Sequence, residues 1–287
     1  MRVYVIGMNM SKVTLYVVSQ NPVFFSDTTC LQWIDPNSIV GDNIAHKTNY
    51  CELRAQYAVW KNCIFENEDY IGFFHYRRYL SCRLNITATD KKQRPYTIFK
   101  KPDDSFYTLQ HVQQVLCDFD VIGPVSEYTG IPVYEHYQYS KAHDVRTLDC
   151  IGTIIKKDYP HIFPFYQRYL REEKEYYGNI YIMKWFFFVQ YCTFLFDVLE
   201  KYDTMMVDVP KYSDGYGAER IFGAYFTWLQ SNNVHCGCLP REHFYIYDDE
   251  RHRFKHQKIV NTILPPGSIG RSMVRRALIN WKKGKLL

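Results

Sequence analysis

A chain of 287 residues that is 47% hydrophobic and 17% aromatic has a globular composition, with length for one large α/β domain or two small ones. Its formal charge of +5 falls short of the dense Lys and Arg loading of a dedicated nucleic-acid binder, which leaves anionic small molecules and membrane surfaces as partners. Nine cysteines, an odd number without a CxxC pair, indicate neither a disulfide framework nor a zinc knuckle, and fit buried thiols in a reducing cytoplasm.

The first twenty residues start apolar but are interrupted by Asn9, Ser11 and Lys12, with no small-residue cleavage site, so they read as strand material and not as a secretory signal. Residues 13–20 (VTLYVVSQ) are rich in β-branched side chains and predict a strand, followed by a polar loop containing proline. Residues 49–64 place Tyr50, Leu53, Tyr57, Trp60 and Ile64 three and four apart, the spacing of an amphipathic helix. Residues 69–74 (DYIGFF) are almost continuously apolar, as in a strand covered on both faces.

A helix is predicted over 108–119 and a strand over 120–124, stopped by Gly123-Pro124. Residues 126–150 read as an irregular segment opening into a helix. The apolar run 180–199 would bring Lys184, Gln190 and Asp197 to depth if it crossed a bilayer. Its Trp185, Val189, Cys192, Phe196 and Leu199 keep helical spacing, which predicts a helix buried against a sheet. Another helix follows at 215–232, entered through two glycines.

Alternating strands and helices predict an α/β fold, a single domain over residues 1–260 with a mixed, mostly parallel sheet flanked by helices. Residues 261–287 form a basic C-terminal extension. From residue 269 it carries six basic residues, no acidic one, and Met273, Leu278, Ile279 and Trp281. That pattern suits a helix lying on anionic lipid, and equally a solvated tail or a docked helix.

Chemistry concentrates where the strand 69–74 runs into His75, Tyr76, Arg77 and Arg78. Ligands of such sheets bind at the carboxyl ends of strands. Guanidinium forks match phosphate oxygens and a neighbouring histidine adds a hydrogen bond, so a diphosphate such as that of a nucleotide-sugar is the natural ligand. The competing reading is an ion-pair cluster with surface tyrosines. Cys236 and Cys238, with His235 and His243 nearby, have the ligand types of a metal site, but free thiols are the plainer reading.

GDNIAHKTNYCELRAQYAVWKN followed by DYIGFFHYRRYL resembles the signature of a bacterial family of capsule and exopolysaccharide proteins, long catalogued as a domain of unknown function and now regarded as glycosyltransferases. The resemblance continues in VYEHYQYSKAHDVRTLD, GNIYIMKWFFFVQYCTFLFDVL and GYGAERIFGAYFTWL, and covers about residues 13–232. Family members commonly have a His-Lys pair where this chain has Ser19-Gln20, and an arginine near Asp214-Gly215; both departures bear on the donor pocket.

The resemblance implies a GT-A-like fold and transfer of a hexose, galactofuranose or galactose, from a nucleotide-sugar to a lipid-linked oligosaccharide in capsule, exopolysaccharide or O-antigen synthesis. It implies a cytoplasmic enzyme, peripheral at the inner face of the plasma membrane. Enzymes of this fold commonly hold Mg²⁺ or Mn²⁺ at an Asp-x-Asp motif. The one such motif here, Asp118–Asp120, falls between a helix end and a strand start, so no metal ligand is assigned, a divalent cation stays open, and His75, Arg77 and Arg78 are expected to replace some or all of its charge.

Asp149 and Glu219 are the expected catalytic carboxylates, Glu219 being open to a capping or ion-paired role beside Arg220. His143, Asn179 and Arg220 are expected at the sugar or acceptor, and Asn43, Lys47 and Glu52 near the nucleotide. The rival from another class is a non-catalytic nucleotide- or glycan-binding module of a polysaccharide assembly complex; nucleic acid is not an expected partner.

Overall fold

The computed structural model describes residues 11–83, 96–99, 101–140, 142–208, 210–244, 259–260, 262–264 and 268–283; the strand reading of residues 1–10 lies outside them. The first half of the fold is β1 (Val13–Val18), β2 (Leu31–Ile34), α1 (Leu53–Asn62), β3 (Tyr70–His75), β4 (Arg78–Leu80), β5 (Tyr96–Phe99), α2 (Leu109–Leu116) and β6 (Val121–Pro124). The second half is β7 (Glu127–Tyr128), α3 (Val133–Gln138), α4 (Arg146–Asp158), α5 (Phe163–Arg171), β8 (Lys174–Glu175), β9 (Tyr181–Lys184), α6 (Trp185–Met205), α7 (Ser213–Ser231), β10 (Cys236–Leu239) and β11 (Arg241–Phe244). A last helix spans Ile269–Lys283.

Among the described residues nine strands form one mixed sheet, with β7 and β8 as a separate small ribbon. β1 lies between β2 and β3, parallel to both, and the path continues β10-β6-β9-β3-β4-β11-β5. Only β9 and β4 run against the other seven strands, so the expected α/β architecture with a mostly parallel sheet is observed. β2 was not expected: residues 31–34 fall in the predicted loop, and exposed Gln32 and Trp33 hide the edge strand that pairs with β1.

Alternation along each strand divides the core into two layers. Ile71 and Phe73 of β3, Val121 of β6, and Tyr181 and Met183 of β9 face the layer built with α1, α4, α6 and α7. Phe74, Ile122 and Ile182 face the other side, where Val112 and Leu116 of α2 pack with Tyr107. Each fully buried aromatic or aliphatic side chain contributes roughly 1.5–3 kcal/mol. Gly72 sits where β3 is tightest: a Cβ there would come 2.5 Å from Leu15 and 3.0 Å from Ile182.

The surplus of tyrosine belongs to this core. Tyr107, Tyr166 and Tyr181 are fully buried, each hydroxyl donating to Leu80 O, Leu148 O and Gln56 Oε1 at 2.9, 2.8 and 2.8 Å. The rings fill the interior while the hydroxyls satisfy buried acceptors. α6 is buried against the sheet as predicted. Its flanking Lys184 pairs with Glu68 and Asp120, and its Asp197 with Lys201. Among the described residues no helix is long and apolar enough to cross a membrane.

Candidate active site

β1 and β3 run parallel and end side by side, Val18 opposite His75. Beyond β3 the chain reverses through Tyr76-Arg77 and returns as β4, with Arg78 paired to His75. A tight reversal is what allows adjacent arginines to share one region, which strand alternation would forbid. A cavity of about 820 Å³ opens at these carboxyl ends. Ser19, Gln20 and Asn21 after β1, and His75 to Arg78 after β3, form one wall; Cys51 and Glu52 at the start of α1, and Gly215, Tyr216 and Glu219 in the first turns of α7, form the other. The amino-terminal end of α7 adds the positive end of a helix dipole.

The electrostatics of this cavity suit a polyanion. Among the described residues the Arg78 guanidinium has no hydrogen bond or ion pair; burial lowers its pKa, Glu219 opposes that shift, and Arg241 and Arg77 reinforce it. Arg77 lies over the Tyr76 ring at 5.3 Å. Burial, with Arg78 and Arg77 alongside, pushes His75 down to about 3, so the imidazole is neutral, and its buried Nδ1 has no partner among the described residues.

Two carboxylates face these cations. Glu52 accepts from Asn179 Nδ2 at 2.8 Å through Oε1, and no second side chain donates to its carboxylate among the described residues. Burial raises its pKa, opposed by the Asn179 bond. Glu219 uses both oxygens: Oε1 accepts from the Gly178 amide at 2.6 Å and Oε2 from Arg220 at 2.8 Å. Burial also raises Glu219, with Arg220 opposing.

Several predicted site residues lie behind the cavity wall. Arg220 is 1% exposed and faces inward, ion-paired to Glu175 and Glu219 and stacked over Tyr137 at 4.8 Å. It fixes Glu219 instead of meeting a substrate. Asn179 is likewise buried, in a left-handed conformation (φ 49°), and holds Glu52 while bonding Gly215 O at 3.1 Å. His143 is sandwiched between Tyr137 and Tyr216, at 4.1 and 4.4 Å between ring centres, and burial lowers it to about 4. It supports Tyr216, which does line the cavity.

Asp149 is placed away from the cavity. The buried side of α4 is Thr147, Leu148, Ile151 and Ile155, so Asp149 faces solvent, where it accepts from Tyr134 at 3.1 Å. Asn43 closes its own loop, accepting from the Ala45 amide and donating to Gly41 O. Lys47 reaches Asp203 at 2.7 Å, and the same carboxylate accepts from Tyr50 at 2.8 Å. Asp214, buried close by, has its pKa raised by burial and by Asp203. Lys47 thus neutralises a carboxyl cluster made by Asp203 and Asp214.

Asp120 lies at the opposite, amino end of β6, paired with Lys184 at 3.0 Å and capping the His235 amide at 3.2 Å. The Asp118–Asp120 motif therefore does not fit a metal site facing this cavity. Among the described residues no cluster of three or more His, Cys, Asp or Glu has metal-binding geometry, Cys236 and Cys238 included. Sequence reasoning missed Lys211, Tyr212 and Arg54 in the lining; Arg54 is engaged with Cys51 O, Asn37 and Ala45 O. Lys211 and Tyr212 lie in a connection without periodicity, so only their chain position just before α7 marked them.

The neutral His75 has a measurable consequence. A histidine whose folded pKa is depressed adds stability that is complete above its ordinary value of 6.5 and is lost as pH falls towards about 3. The stability advantage of wild type over His75→Gln should shrink by up to about 1.4 kcal/mol per pH unit below pH 6.5, followed by urea melts. A difference that stays constant from pH 7 to pH 5 would contradict a neutral His75.

A sequence model of the family described as a domain of unknown function (DUF4422) matches residues 13–232, the span that contains every cavity-lining residue. No curated protein matches the chain. Among solved structures, the apo structure of WbbM, described as a bifunctional glycosyltransferase, is similar with a TM-score of 0.71 and 24% identity over 82% of this chain. The chain spans less than half of that protein, 45% of its length, and the likeness establishes a shared fold.

Proposed function

We propose that this chain, which belongs to the family described as a domain of unknown function (DUF4422), is a glycosyltransferase that takes a hexose from a nucleotide-sugar. The observation that carries this reading is Arg78, a largely desolvated guanidinium at the carboxyl end of the sheet with no hydrogen bond or ion pair among the described residues. Leaving a charge in that state is costly unless an anion completes it. A diphosphate does so with two oxygens in the geometry of the guanidinium fork, and His75 adds a neutral donor. The fold shared with a bifunctional glycosyltransferase supports the same reading.

In this reaction the bond from the anomeric carbon to the diphosphate breaks, and Arg77 and Arg78 stabilise the charge that develops on the departing nucleoside diphosphate. The guanidiniums take the part that a divalent cation plays in other enzymes of this chemistry. Glu52 is the general base for the acceptor hydroxyl: it reaches the cavity, its orientation is fixed by Asn179, and among the described residues no second side chain donates to the carboxylate that receives the proton. Glu219, with both oxygens engaged, holds the Gly178 turn and balances Arg78.

The sugar, galactose or galactofuranose, and the acceptor, a lipid-linked oligosaccharide of a capsule, exopolysaccharide or O-antigen, are the choices favoured by the family resemblance. The test is turnover of a panel of nucleotide-sugars with lipid-linked acceptors, followed by nucleoside diphosphate release and product mass. One donor should be consumed with stoichiometric product. Tight donor binding without turnover on any acceptor would favour the non-catalytic binding module.

A further inference from the structure

The last helix, Ile269–Lys283, is mounted with its polar side inward. Arg276 donates to Gly130 O at 2.7 Å and pairs with Glu173 at 2.7 Å; Arg275 donates to Thr129 O at 3.2 Å. Ser272 is buried against Gly130, whose left-handed backbone (φ 78°) and missing side chain admit the helix: a Cβ there would stand 2.8 Å from Ser272. At 3.6 residues per turn, Met273, Val274, Ala277, Leu278 and Trp281 fall within an arc of about 140° on the other side. Met273, Leu278 and Trp281 are 66%, 55% and 59% exposed.

Charge gives this outward apolar face its setting. Residues 251–287 contain ten Lys and Arg and no Asp or Glu, whereas the preceding 250 residues carry 25 Lys and Arg against 30 Asp and Glu. A cationic end is thus joined to a net anionic body, and Arg271 borders the apolar arc on the helix next to Leu278. A docked helix of a water-facing surface would have the reverse arrangement, apolar side in and charges out.

We infer that this helix is an in-plane anchor for an anionic lipid bilayer, its outward apolar arc entering the headgroup boundary while the surrounding basic residues meet lipid phosphates. The body is held to the anchor by Arg275, Arg276 and Ser272, so the whole domain rides on the surface. This surface is independent of the cavity and of the reaction proposed for it.

The experiment is co-sedimentation of the full chain with phosphatidylcholine vesicles, with and without one-third phosphatidylglycerol. Wild type should bind the anionic vesicles, weaken as salt rises from about 0.1 to 0.5 M, and bind neutral vesicles poorly. The triple variant Met273→Ser, Leu278→Ser, Trp281→Ser should lose at least tenfold in partitioning, and Leu278→Lys alone a smaller but clear part. Arg78→Ala should bind vesicles like wild type, which separates the anchor from the cavity. Wild-type indifference to anionic lipid, or equal partitioning of wild type and both face variants, would overturn the anchor. A wild-type dimer that the face variants convert to monomer would overturn it too, by assigning the face to a second copy.

Discussion

Replacing Arg220 with alanine is expected to destabilise the fold by about 3–5 kcal/mol, read from urea melts at pH 7. Arg220 lies at the centre of a buried charge network, paired with Glu175, which is fully buried, and with Glu219. Burial alone would raise the Glu175 carboxyl; Arg220 overrides it, with His136 at 2.7 Å and Tyr177 at 2.6 Å, and holds Glu175 at about 2. Without the guanidinium two carboxylates are left in a low-dielectric interior. Against a total stability of about 5–15 kcal/mol, that loss is a large fraction.

The same network fixes the direction of the pH dependence. A carboxyl with a depressed folded pKa contributes stability that is present above its ordinary value of 4.5 and lost as pH falls towards about 2. Arg220→Lys should recover little, since one ammonium cannot serve two carboxylates and the Tyr216 carbonyl in the forked geometry. Adding Glu175→Gln to Arg220→Met should recover much of the loss by removing the stranded charge. A deficit under about 1 kcal/mol for Arg220→Ala would show that the network does not carry the α7 end of the site.

Glu52→Gln is expected to lower kcat by about 10²- to 10⁴-fold while leaving donor affinity near wild type. The amide keeps the shape and the bond to Asn179 yet cannot take a proton. Because burial raises Glu52 above the usual glutamate value, the wild-type rate should fall as pH drops through that raised pKa, and the acid limb should lie above pH 4.5. Glu219→Gln should behave differently, weakening donor binding and stability together, since its oxygens hold the Gly178 amide and Arg220. If Glu52→Gln turned over within threefold of wild type, the base would lie elsewhere.

Where one element decided its own structure, the sequence was readable. The β-branched run of β1, the continuous apolar run of β3 and the period-3.6 patterns of α1, α6 and α7 reflect burial, and each element is observed close to its predicted place. HYRR was readable for the same reason: its position at a strand's end follows from the strand. The short edge strand β2 and the cysteine-bearing β10 were missed because their few residues carry too little apolar pattern.

Partnerships between distant residues were less accessible. Glu175 gave no local signal of its role, and Arg220 looks like a surface cation until Glu175, 45 positions away in the chain, closes on it. Lys47 was drawn towards the nucleotide by its motif, but Asp203, 156 positions away, claims it. Asp149 is a different case. The apolar positions of its own helix, Leu148, Ile151 and Ile155, already place it on the opposite face, and weighing that pattern above the motif would have removed it from the catalytic set.

In the proposed reaction Arg78, with Arg77 and His75, holds the donor diphosphate. Calorimetric titration of nucleoside diphosphates into wild type and Arg78→Ala, each with Mn²⁺ and with chelator, tests it most directly. Two charge-assisted hydrogen bonds at about 1.5–3 kcal/mol each predict binding at least about 100-fold weaker in the variant, and wild-type affinity that is unchanged by chelator. Wild-type affinity in Arg78→Ala, or wild-type binding that requires Mn²⁺, would contradict it.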